Sequence, residues 1–201
     1  MSETTTASPM ARYVDGGPVA SAIDGVTALL QAQFPPTLFR YRTVQPRMTA
    51  ASWAELANVA PMIGISLAAW HPTGESAAQF RGDVMLAVFL LVKQVNPKDL
   101  LAGTKTMPGV QAMMNVAVQA LHGKRIKGIG AVQVRGVSNQ EAAGWVDDRT
   151  AIVTLTVAVT NVGYDLSALV AALDDFNEIS GTWQFGTAST PDDNPIGDTE
   201  A

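Results

Sequence analysis

Cysteine is absent from all 201 residues, which excludes disulfides, thiolate metal sites and cysteine nucleophiles together. The absence fits a reducing compartment. Long apolar runs are missing too. The strongest, Val84 to Val92, is closed by Lys93 and Gln94. It falls well short of the roughly 20 residues that a transmembrane helix needs, so no membrane partner is expected. The opening MSETTTASPMARYVDGG has neither a basic n-region nor an apolar h-region, and no signal peptide is expected. No glycine loop with a following lysine is present. Gly128 and Gly130 lack the third glycine of a dinucleotide fingerprint and stand before a strand, not after one. His71 and His122 are far apart, so no metal pair is expected. No serine occupies a nucleophile elbow. Side chains of adjacent acids such as Asp147-Asp148 or Asp174-Asp175 diverge in a strand or loop. No catalytic residue, cofactor or metal is therefore expected, and the chain does not read as an enzyme.

One sign of charge is missing from the end of the chain. All 13 Lys and Arg residues lie at or before Arg149, whereas residues 150–201 carry only acids. Within the net charge of −5, the first stretch is basic and the second strongly acidic. Such asymmetry fits an acidic interaction tail or copies that pair head to tail. The basic residues are scattered and the pI is about 4.9, so sequence-specific nucleic acid is not an expected partner. At 47% hydrophobic and 15% charged residues, the chain has the composition of a folded domain.

The patterned stretches predict an α+β fold: a mainly antiparallel sheet of about four to five strands, packed by one long amphipathic helix and an N-terminal helix. Residues 1–17 read as a flexible or extended arm, 18–185 as a single domain and 186–201 as a flexible acidic tail. Pro18 opens a helix with Val19, Ile23, Val26, Leu30 and Phe34 at helical spacing, ended by Pro35-Pro36. Thr37 to Gln45 reads as an edge strand, where Arg40, Arg42 and Arg47 discourage stray pairing or meet an acidic partner. Thr49 or Ser52 caps a short helix through Asn58. Met62 to Trp70 alternates as a half-buried strand and forms an antiparallel hairpin with the strand from Phe80. Val84 to Val92 reads as a strand buried on both faces. Asn96-Pro97 breaks it, and a helix runs from about Pro108 to His122, with Val110, Met113, Met114, Ala117 and Leu121 on its apolar stripe and Gly123 as its C-cap. Two strands follow, Ala131 to Val137 and Thr150 to Val162. The second alternates cleanly between Val153, Leu155, Val157, Val159 and a polar face bearing Thr154, Thr156 and Thr160. A short helix is expected from Ala168 to Phe176.

This order of elements resembles the tail terminator family of long-tailed phages, most closely the Mu-type members of contractile-tail phages and prophages. The segments that carry the resemblance are FRGDVMLAVFLLVKQ, PGVQAMMNVAVQALHGKRI and the pair AVQVRG … WVDDRTAIVTLTV, within roughly residues 18–165. The resemblance implies a virion protein, present in the host cytoplasm during assembly. It implies a homo-oligomeric ring, a hexamer, that caps the head-proximal end of the tail tube and stops its polymerisation. It also implies docking to head-completion or neck proteins, contacts to the tube protein and sheath, and a lumen through which DNA passes. The family supplies no catalytic positions. In a ring, the candidate subunit or partner contacts are Arg81, Lys124, Arg125 and Arg135 on the basic side, and Trp145, Asp147, Asp148 and Arg149 in the loop before the last strand. Exposed Trp is enriched at binding hot spots, which singles out Trp145. Two alternatives remain open: another tail or neck component, such as a tube, adaptor or completion protein, and a small ligand-binding domain or enzyme using His71, Glu75 and Asp83.

Overall fold

Pro18 opens helix α1 (Gly17–Gln31), where its missing N–H costs nothing in the first turn. Ala22, Val26 and Leu30 are buried, with Val19 and Ile23 packed beside them. The helix ends before the two prolines are reached. The N–H groups of Gln33 and Phe34 both bond to the Leu30 carbonyl, at 3.0 and 2.8 Å, so the chain turns early. Phe34 still enters the core, edge-on to Phe39. The structure, a computed structural model, describes residues 16–45, 48–74, 80–139 and 147–163. All of them belong to the unit Met1–Asp165, the first of two along the chain. The expected N-terminal arm, the expected helix at 168–176 and the acidic tail lie outside the described residues.

Strand β1 (Arg40–Thr43) follows, then helix α2 (Ala50–Ala57) and strand β2 (Met62–Pro72). Thr49 caps α2, its hydroxyl oxygen accepting the Ser52 N–H at 3.2 Å. The edge strand is present but shorter than its sequence pattern, and it pairs with β2 in parallel. A helix between the two strands makes that possible, because parallel neighbours require a crossover. Tyr41 of β1 donates its hydroxyl to the Phe34 carbonyl at 2.8 Å. Burial raises its pKa from 10.0 to about 12.

The hairpin of β2 with β3 (Arg81–Lys93) is antiparallel, as its sequence predicts. A 3-10 turn at Pro97–Asp99 leads to helix α3 (Val110–Leu121), which buries Val110, Met113, Ala117, Ala120 and Leu121. Gly123 follows with φ +76°, a left-handed position that glycine adopts without steric cost. Strands β4 (Arg125–Ile126), β5 (Gly130–Asn139) and β6 (Thr150–Gly163) complete a six-stranded sheet in the order β1-β2-β3-β6-β5-β4. Six strands exceed the expected four to five. The added one, β4, has two residues and no periodicity to read.

Three expectations about faces are corrected. One face of β3 is fully buried through Val84, Leu86, Val88 and Leu90, beneath α1 and α3, but Met85, Ala87 and Phe89 opposite are only half-buried. The two-sided burial expected for 84–92 therefore holds only near Leu91. There α2 lays Trp53 and Ala57 over Met62, Leu91 and Ile152 as a second small core. The same helix covers Met62, and Val44 covers Gly64, so the start of β2 is buried on both faces where sequence alternation implies one. The polar face expected on β6 is likewise partly closed: Thr154 and Ala158 are buried, and Thr156 is the exposed member. Thr154 sits beside Phe89 of β3, and Ala158 between Met85 of β3 and Gln133 of β5, so larger neighbours on flanking strands cover them.

Candidate assembly surfaces

Arg81, Lys124 and Arg125 lie toward one end of the sheet, and Asp147, Asp148 and Arg149 toward the other. Arg81 begins β3 opposite Gly163, the last residue of β6. Lys124 and Arg125 lie at the α3–β4 junction, and Arg125 reaches the same sheet end through Ala131 and Thr160. Lys127 is in the β4–β5 turn, where Arg125, Lys127, Gly128, Thr160 and Asn161 line an open groove of about 360 Å³. Lys93, by contrast, pairs in register with Thr150, placing Asp147, Asp148 and Arg149 at the other end. Trp145 lies outside the described residues. A single continuous basic-to-acidic face is not formed by these side chains within one copy.

Two of the candidates are engaged inside the chain. Asp147 meets Lys93 Nζ at 3.1 Å and accepts the Thr150 hydroxyl at 2.5 Å. The Thr150 hydrogen bond, and then Lys93, hold its carboxyl below the usual value of 3.8. Arg135 faces Asp83, Nη2 to Oδ2, at 3.7 Å. Asp148 and Arg149 are exposed, although the Arg149 carbonyl accepts the Gln94 N–H at 2.9 Å.

Asp83 is a joint that sequence reasoning did not find; the alternative reading placed it in a ligand cleft with His71 and Glu75. His71 does stand opposite Asp83 in the β2–β3 register, whereas Glu75 lies outside the described residues. Asp83 falls where the β3–β6 register shifts between Gly82 and Val84. Its Oδ1 accepts the Asn161 N–H at 3.2 Å, and Asn161 has φ +61°, a conformation Asn tolerates better than most residues. One carboxylate thus links the kinked end of β6 to β3 while facing the guanidinium on β5. Gly82 permits this corner, because a Cβ there would lie 2.2 Å from the His71 carbonyl oxygen. The signal in the sequence was the Arg-Gly-Asp turn into an apolar strand, which does not reveal a bulge. Replacing Asp83 with Ala should lower unfolding free energy by about 0.5–1.5 kcal/mol, mainly through the lost hydrogen bond from the exposed Asn161 N–H. Arg135→Ala should cost less than about 1 kcal/mol, because the ion pair is long and half-exposed. Urea midpoints of the two variants check this order.

Among the described residues no group of three or more His, Asp or Glu side chains is placed to hold a metal ion. No helix among them is long and apolar enough to cross a membrane.

No family model matches the chain, and no curated protein matches it. Among solved structures, the chain is similar to one from a structure described as "Virion of native gene transfer agent (GTA) particle". The TM-score is 0.43 at 15% identity, over 75% of this chain and 98% of that one. The similar chain is a virion component.

Proposed function

We propose that this protein is a phage tail terminator: a ring, with six copies as the expected number, that caps the head-proximal end of the tail tube, stops its growth and offers a docking surface to the neck. The role is structural and needs no catalysis, cofactor or metal. One observation carries this reading. The segments behind the family resemblance assemble into a single packed unit. FRGDVMLAVFLLVKQ supplies the central strand β3, and PGVQAMMNVAVQALHGKRI supplies α3 and β4. AVQVRG and DDRTAIVTLTV supply β5 and β6. In the sheet these become the contiguous run β3-β6-β5-β4 with α3 packed against it. Residues distant in sequence thus form one scaffold, and the ends and edges of its sheet remain for contacts between copies.

The deciding experiment removes the protein from the phage or prophage that carries it. Tails of irregular, over-extended length that fail to join heads are expected. Tails of normal length still joined to heads would overturn the reading. Purified protein that stacks into long tubes would instead favour a tube or adaptor component.

A further inference from the structure

Two segments of the sheet carry backbone hydrogen-bonding groups with no partner on one side among the described residues. The first is β1, which is the edge next to β2. Arg40 and Val44 donate their N–H groups to the Pro61 and Ile65 carbonyls, at 3.1 and 2.9 Å. Alternation along the strand therefore turns the N–H and C=O of Tyr41 and Thr43 outward. The second is the far half of β5. Its near half is covered: Val132 exchanges hydrogen bonds with Lys124 and Gly123, and the Val134 N–H reaches His122 Nδ1 at 3.3 Å. Beyond the register shift between Val134 and Gly136, residues Arg135 to Asn139 are all exposed. The extra residue of the bulge moves the alternation by one, which turns Val137 and Asn139 outward.

These two edges match in height, direction and register. Reading across the sheet, Thr43 stands level with Ile65, Val88, Leu155 and Val137. Arg42 is level with Ser138 through Gly64, Phe89 and Thr154, and Tyr41 with Asn139 through Ile63, Leu90 and Val153. Following the parallel and antiparallel pairings, β1 and β5 run in opposite senses. The outward groups of one edge thus fall opposite the outward groups of the other.

We propose that β1 of one copy pairs antiparallel with the outer edge of β5 of the next copy, Thr43 opposite Val137, so that the sheet continues from subunit to subunit. The occupant is a second copy of this chain, because the two edges of one copy fit each other. A ring relates its subunits by rotation without rise, and only edges at equal height can then meet. Val137, in the middle of the outer β5 edge, is 42% exposed and is covered in this pairing. The proposal rests on the ring reading for the absence of rise.

The chain has no cysteine, so a designed pair reports without background. Arg42 and Ser138 form a non-hydrogen-bonded pair in the inferred register, with Cα atoms about 4.5 Å apart, suited to a disulfide. Within one copy they are separated by four strand spacings, about 19 Å, which no disulfide spans. The double variant Arg42→Cys/Ser138→Cys, oxidised and run without reductant, should give a ladder of covalent oligomers up to the ring, whereas either single variant should not. Particles assembled by light scattering without a ladder would overturn the edge pairing and leave the ring reading standing. A strict monomer, even with tail tubes present, would overturn both. Thr43→Pro is the second probe, since it removes an outward N–H and leaves the bonds to β2 intact. It should melt within a few degrees of the parent and lose at least tenfold in association; undiminished association would overturn the proposal. Protection of the Val137 and Asn139 amides from exchange in an isolated monomer would assign the edge to a segment of the same chain, and would overturn it too.

Discussion

Leu90→Ala should lower the free energy of unfolding by about 3 kcal/mol. Leu90 is fully buried at the centre of β3, with Ile63 of β2 and Val153 of β6 level beside it on the face packed by α1 and α3. Truncation removes apolar burial and leaves a void that three elements must close together, and sheet register limits how far any of them moves. For a domain whose total stability is about 5–15 kcal/mol, that is a large fraction. At this chain length it amounts to a fall in Tm of roughly 10 °C. Leu90→Met keeps the volume and should cost less than about 1.5 kcal/mol. Calorimetry on the two variants separates the cavity from the chemistry, and equal melting temperatures would mean that the core relaxes around the void. The loss would also reach assembly, because the two sheet edges inferred to meet between copies are held at the same height only through β2, β3 and β6.

Gly130→Ala should cost about 2 kcal/mol although it adds a single methyl group. A Cβ at Gly130 would lie 2.1 Å from the Thr160 carbonyl oxygen and 3.2 Å from its carbon. The obstacle is backbone of the neighbouring strand, so no side-chain rotation relieves it and β5 must lift away from β6. The Thr160 hydroxyl, which donates to the Ala131 carbonyl at 3.2 Å, would be displaced with it. Ile126 of β4 pairs with Gly130, so the short edge strand and its turn should loosen first. Gly136→Ala is the internal control. It lies in the same strand with nothing within 4 Å of its Cβ position, and should be neutral or slightly stabilising. Hydrogen exchange at Ile126 and Ala131 should rise in the first variant and stay at the parental rate in the second.

What was legible in the sequence follows the reach of local signals. The stripe through Val26 and Leu30, the cap at Thr49, the left-handed Gly123 and the β2–β3 hairpin all depend on neighbours a few residues away. Periodicity and turn chemistry report those neighbours directly. The two-residue strand β4 is too short to carry a period. The parallel pairing of β1 with β2 was hidden because two strands flanking a short helix look the same whichever way they pair. The burial of Met62 and Gly64 depends on Trp53 and Ala57 arriving from a separate helix and on Val44, which alternation within β2 does not encode.

The candidate contact residues show the same limit more sharply. Arg135 and Asp147 were read as free surface charges, but each has a partner in the chain, Asp83 and Lys93. The Lys93 pair is distant in sequence and meets only because the β3–β6 register sets Lys93 opposite Thr150. Arg135 reaches Asp83 across β6, at a place where both flanking strands shift register. By itself the sequence determined that the chain folds around a strand–helix core without thiol chemistry, with its basic residues and its last acidic stretch segregated along the chain. The tertiary structure alone decided that Arg135 meets Asp83 and Asp147 meets Lys93, and that the edges of β1 and β5 stand level. Charge pairing and edge height depend on strand order and register, and these are set by which apolar faces pack together, not by any residue's immediate neighbours.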